Sequence, residues 1–128
     1  KRGLLSIILY IFLGIIGLPV FAGFSGGLGH LMGATGGYIL GFILTALIYC
    51  FATHFSSSSK TKAVGLVLGL IACYIFGTLW YTLLFLKEFN LQSLMNALLV
   101  CVGPFIIPDL IKIAVAILIS NKLAAYKV

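Results

Sequence analysis

The chain has 128 residues, 62% of them hydrophobic and 8% charged, with a mean hydropathy of +1.27. Soluble domains carry roughly 25% charged residues, so this composition excludes a water-soluble globular fold and predicts an all-α integral membrane protein, a single helical bundle over residues 1–128. The formal charge of +6 is scattered around the ends of apolar runs, which leaves no basic surface large enough to read nucleic acid.

Lys1 and Arg2 precede a first apolar run, Leu4 to Val20, long enough to cross a bilayer. It leads into a Gly-rich segment instead of a small-residue cleavage pattern, so it does not read as a cleavable signal peptide. Gly14, Gly17 and Pro19 predict that its outer end frays or bends. The chain opens at Lys1 without a methionine, and we expect an N-terminal portion to be missing.

The stretch from Leu18 to Tyr38 holds seven of the fifteen glycines, their densest concentration, and each interior Gly costs a helix ~1 kcal/mol relative to Ala. Phe21, Phe24, Leu28, Leu31 and Met32 make it too apolar for a flexible linker. Irregular backbone at membrane depth is tolerated where protein buries it or where it lines a cavity. The segment therefore predicts an ordered loop folded over the outer mouth, able to close a pocket. Close helix packing is the competing use. It accounts for Gly33, Gly37 and Gly41 at four-residue spacing but not for the Gly26-Gly27 and Gly36-Gly37 doublets. A phosphate cradle lacks the Lys-Ser/Thr and the strand it would need.

Tyr38 to Phe55 predicts a second crossing, Ser56 to Lys62 a polar cytoplasmic turn, and Ala63 to Leu86 a third crossing. Gly65, Gly69, Cys73 and Gly77 recur every four residues, a small-residue stripe that lets helices approach closely. It suits packing within the domain or against a partner helix. Tyr74, Trp80 and Tyr81 gather toward the outer half, where they fit an aromatic belt or a pocket wall. Lys87 to Asn90 forms an external turn. The last apolar region, Leu91 to Ile119, exceeds one simple crossing. Gly103, Pro104 and Pro108 predict its division into a short outer helix, Leu91 to Val102, and a spanning helix from Pro108 to Ser120. That makes four membrane helices. Lys1, Arg2, Lys60, Lys62, Lys122 and Lys127 then share one side, and Lys87 lies on the other. By the positive-inside rule the Lys60/Lys62 turn and the C-terminus are cytoplasmic in a multi-pass cell-membrane protein.

Asp109 and Lys112 interrupt the last run. An ionised side chain near the bilayer centre costs at least ~2.5–3.5 kcal/mol, so such residues face a partner, a cavity or a ligand. Three apart on a helix, they lie on one face, with Pro108 at the first helical position and Asp109 in the first turn, where the helix dipole favours an anion. The pair reads either as a polar clamp for a ligand or as an ion pair that only fixes packing. Cys50, Cys73 and Cys101 stand singly without metal-ligand spacing, and His30 and His54 have no second ligand nearby. Glu88 and Asp109 are the two acids of the sequence, which gives no basis for paired-carboxylate catalysis. We read the chain as a non-enzyme without cofactor or metal.

Gly17-Leu18-Pro19-Val20-Phe21-Ala22-Gly23, the Gly-rich stretch after it, Thr35-Gly36-Gly37-Tyr38 with Gly41-Phe42, and Pro104-Phe105 followed by Asp109-Leu110-Ile111-Lys112 resemble the BioY family. BioY proteins are the biotin-specific S components of energy-coupling factor (ECF) vitamin importers. The likeness runs through nearly the whole chain. It implies a six-helix fold of which these residues are the last four helices, the first two being absent. Ala34 departs from the proline common before Thr-Gly-Gly-Tyr, and Pro108 from a small residue such as glycine; both bear on loop geometry. The resemblance further implies capture of biotin from outside and assembly with a transmembrane coupling protein and two ATPase subunits, since the sequence carries no nucleotide-binding motif. In this reading Asp109 accepts ureido N–H groups, and Lys112 donates to the ureido oxygen or the valerate carboxylate. Phe21, Phe24 and Tyr38 are the candidate walls, and Gly23, Gly36 and Gly37 let backbone approach the ligand. An S component for another vitamin and a small channel or structural oligomer are the alternatives.

Overall fold

The computed structural model describes residues 2–21 and 23–126, and the regular elements among them are helical. Helix α1, Arg2–Ile16, stops before Val20. Gly17 adopts φ 112°, the Leu18 N–H reaches back to the Leu13 carbonyl (3.2 Å), and the Gly17 N–H to that of Gly14 (3.1 Å). This Schellman closure satisfies carbonyls that the helix end would otherwise leave bare, and the positive φ explains why glycine stands there.

After α1 the chain reverses tightly. Phe21 donates its N–H to the Ser25 carbonyl (2.9 Å) and accepts from the Ser25 N–H (3.4 Å), with Gly23 and Phe24 at positive φ between them. A single helical turn, α2, Leu28–Leu31, follows. The segment is fastened to α1 by Gly27 N–H on the Gly14 carbonyl (2.6 Å). Phe21 turns inward to join Ile11 and Ile39 in the buried core, flanked by Tyr10, Leu31 and Ile43. Its ring lies over Gly14, where a Cβ would come within 2.1 Å of it.

Helices α3, Gly36–Phe55, and α4, Ser59–Tyr81, form the central antiparallel pair. Ser58 caps α4 by accepting the Thr61 N–H (3.2 Å), so Lys60 and Lys62 belong to its first turn and the connection is shorter than the expected span to Lys62. The small residues decide how these helices meet. A Cβ on Gly41 would strike Cys73, one on Gly69 would strike Thr45, and one on Gly65 would strike Ala52. The pairs Gly37–Gly77, Gly41–Cys73, Thr45–Gly69 and Tyr49–Gly65 advance four residues along α3 for every four back along α4. The Gly65/Gly69/Cys73/Gly77 stripe is therefore buried inside the domain, against α3.

A π-helical stretch, Thr82–Leu86, extends α4 to Lys87, which adopts the left-handed conformation. Helix α5, Leu91–Ala97, is capped by Asn90, which accepts the Ser93 N–H (2.8 Å). It continues through a second π-helical stretch, Leu98–Val102, into α6, Gly103–Tyr126. Ala97 and Val102, at the two ends of that stretch, are both buried.

The expected division of the last apolar region is therefore corrected: Leu91–Tyr126 is one helix of 36 residues with Pro108 inside it. Ending a helix in hydrocarbon would strip partners from several N–H and C=O groups at once, whereas an interior proline forfeits one bond. The Gly103 N–H bonds the Leu98 carbonyl, which widens the turn ahead of Pro104 and eases its ring past the preceding backbone. In consequence Asp109 sits deep within a helix, not in a first turn, and the dipole argument for its charge does not hold.

Three helical stretches, Gly36–Phe55, Ser59–Leu86 and Leu91–Tyr126, are long and apolar enough to cross a membrane; α1 is apolar but shorter. Broad apolar exposure along these helices, from Leu5 to Leu123, is what lipid would cover.

Candidate functional site

Asp109 faces α4 from α6, and Lys112 reaches it from three residues further along the same helix. The Lys112 ammonium is 3.1 Å from Asp109 Oδ1, and the Tyr74 hydroxyl donates a hydrogen bond to Oδ2. Both carboxylate oxygens are thus engaged, one by a cation on the same helix and one by a phenol on the next. The side chain of Asp109 is 18% exposed and that of Lys112 73%. The acid is held in place between two helices while the base projects outward from it.

The depth of this cluster follows from helical rise. Asp109 lies about 16 Å along the helix from Ser120, and Tyr74 about 18 Å from Lys62. At that lower level the helices are joined again, by Ser59 and Asn121 exchanging hydrogen bonds (3.0 and 3.2 Å) and by Lys62 Nζ on Ser120 Oγ (3.5 Å). The near-equal spacing on α4 and α6 lets the two polar levels close together.

Above Tyr74, α4 turns polar contacts toward α3 and the Gly-rich segment. The Tyr38 and Thr78 hydroxyls share a hydrogen bond (3.2 Å), and Cys73 Sγ donates to the Tyr38 carbonyl (3.4 Å). Trp80 donates its indole N–H to the Gly33 carbonyl (3.0 Å). Successive turns of α4 thus hold three separate partners: Asp109 at Tyr74, Tyr38 at Thr78 and the Gly33 carbonyl at Trp80.

The remaining sequence-predicted site residues have distinct positions. Phe21 is 3% exposed, packed edge-on to Tyr10 (5.6 Å between centroids) and stacked with His30 (6.4 Å). Phe24 is 90% exposed, and Gly23 precedes it at the tip of the reversal with φ 74°. Gly36 and Gly37 are packing positions: a Cβ would come within 1.7 Å of the Leu31 carbonyl oxygen at Gly36 and 2.3 Å of Trp80 at Gly37. His30 bonds Ser25 Oγ through Nε2 (2.8 Å). A cavity of about 290 Å³ lies between α1, α3 and α4, lined by Ile7, Thr45, Tyr49 and Thr53 among others, and does not include Asp109 or Lys112.

Sequence reasoning passed over Tyr74, treating it with Trp80 and Tyr81 as belt or wall. The signal was present: a tyrosine in mid-run needs a partner for its hydroxyl, and Asp109 is the acid within the apolar runs. Trp80 likewise has a loop partner, whereas Tyr81 stacks on Phe85 (5.9 Å).

Comparison with known proteins adds four findings. The family model described as the BioY family matches residues 1–127. The chain is 39% identical to the probable biotin transporter BioY of Pyrococcus horikoshii, over 96% of this chain and 68% of that protein. It is 38% identical to the biotin transporter BioY of Thermotoga maritima, over 100% of this chain and 72% of that one. Its structure matches the crystal structure of the S-component for biotin from an ECF-type ABC transporter with a TM-score of 0.79 and 27% identity, covering 98% of this chain and 66% of the other.

Proposed function

The chain belongs to the BioY family, and we propose that it is the substrate-binding membrane subunit that captures biotin from outside the cell for ATP-driven import by an ECF-type transporter. It is a transporter component and not an enzyme. The observation that carries the reading is the mid-helix position of Asp109 and Lys112, paired at 3.1 Å with the carboxylate also bonded by Tyr74. Charges placed at that depth face a partner, a cavity or a ligand. Biotin supplies the complement. Its ureido ring offers two N–H donors and one carbonyl acceptor; a carboxylate only accepts and an ammonium only donates. Asp109 takes ureido N–H groups, and Lys112 swings to an oxygen of the ligand.

In this proposal α1 makes the fourth crossing, and the segment from Gly17 to Thr35 is the ordered outer loop over the pocket. Phe24 and Tyr38 wall the ligand. The Lys60/Lys62 end faces the cytoplasm, where the coupling protein and two ATPase subunits assemble. With the small-residue stripe of α4 buried against α3, the coupling surface is assigned elsewhere on the subunit.

The test is a biotin titration of the full-length protein beside Asp109→Asn and Lys112→Met. The parent binds one biotin per chain, and each variant binds at least tenfold more weakly, since each loses a charge-assisted hydrogen bond to the ligand, about 1.5–3 kcal/mol. Two variants binding as tightly as the parent would refute the site; a parent blind to biotin would refute the substrate.

A further inference from the structure

We propose that Tyr74 is a positioning residue for ligand recognition, acting through Asp109; this rests on the biotin reading above. A carboxylate held only by Lys112 would lose its anchor as soon as the ammonium turned to the ligand. It would then be free to rotate about its side-chain bonds. The geometry removes that freedom. Tyr74 donates to Oδ2 from α4 while Lys112 holds Oδ1 from α6, so one oxygen stays anchored to a different helix when the other is released. Each carboxylate oxygen offers about two acceptor sites, so a bond from the phenol still leaves room on Oδ2, and Oδ1 becomes fully available.

The burial pattern fits this division of labour. Asp109 is largely covered and Lys112 largely exposed, so the ammonium is the member able to move. The phenol is also an uncharged donor. It fixes the carboxylate without competing as a counter-ion, which a second lysine or arginine at that place would do. The ligand class this arrangement selects is a planar cyclic urea presenting paired N–H donors to a fixed acceptor edge.

The experiment combines a double-mutant cycle with a change of ligand, both on the full-length protein. Tyr74→Phe removes the hydroxyl and keeps the ring. Biotin affinity is measured for the parent, Tyr74→Phe, Asp109→Asn and the double variant, and again with biotin methylated on one ureido nitrogen; melting temperatures are recorded for all. Tyr74→Phe is expected to weaken biotin by about ten- to a hundredfold, the usual range for a hydrogen bond to a charged group. In the Asp109→Asn background it should add less, no more than about threefold, because the charged acceptor is gone and an amide oxygen is the weaker partner. The penalty for methylating the ureido nitrogen should shrink in Tyr74→Phe, since a loosened carboxylate discriminates less. A purely structural tyrosine would lower the melting temperature and leave that ratio unmoved. Full additivity, or an unchanged methylation penalty, overturns the role of Tyr74 while biotin binding by the parent stands. If the parent binds no biotin, the functional reading falls and this proposal falls with it.

Discussion

Gly36 and Gly3 show how differently one residue type can be constrained. A methyl on Gly36 would sit 1.7 Å from the Leu31 carbonyl oxygen, whereas nothing lies within 4 Å of one on Gly3. Backbone cannot yield as a side-chain tip can, so Gly36→Ala is expected to destabilise by about 1–3 kcal/mol or more, and Gly3→Ala to leave the melting temperature in detergent unchanged. A melting temperature equal to the parent's for Gly36→Ala would contradict the close approach. At this scale the sequence was partly legible. The Asp109 and Lys112 pairing could be read from three-residue spacing, because helix geometry alone brings such neighbours together. Tyr74 could not be placed against Asp109 from spacing, since that contact joins two helices.

At the scale of elements, Trp80 is what ties α4 to the Gly-rich segment. Trp80→Phe removes the indole donor from the Gly33 carbonyl, which keeps the Gly36 N–H (3.1 Å), a loss of about 0.5–1.5 kcal/mol. Amide hydrogen exchange should accordingly speed up by roughly two- to tenfold across α2 and its flanking turns, with little change in the α3–α4 pair. Uniform protection in the variant would show that the loop is held by other means. Trp80 is also the one tryptophan of the sequence, so its emission should report ligand arriving beneath the loop. The central helices were legible because uninterrupted apolar runs leave a membrane chain no alternative to helix. The end of α1 was legible in outline from Gly17 and Pro19. The long last helix was not. Pro104 and Pro108 read as breakers by a rule calibrated in water, where a severed helix end can bond solvent; hydrocarbon withdraws that option.

For the molecule as a whole, the basic residues predict one orientation, with Lys87 outside and the Ser56–Ser58 turn inside. A cysteine at Lys87 should react with a membrane-impermeant maleimide on intact cells, and one at Ser57 only after permeabilisation; the reverse pattern would invert the topology. The same frame gives the π-helical stretch Leu98–Val102 a meaning. In a regular helix, positions five apart point about 140° away from each other, so Ala97 and Val102 could not both turn toward one neighbour. The extra residue in the wide turn lets them do so, and it acts as a phase corrector between α5 and the lower half carrying Asp109. Deleting one residue there would restore a uniform winding and force a choice. Either α5 keeps its seat beside α4, or the carboxylate keeps its aim at Tyr74.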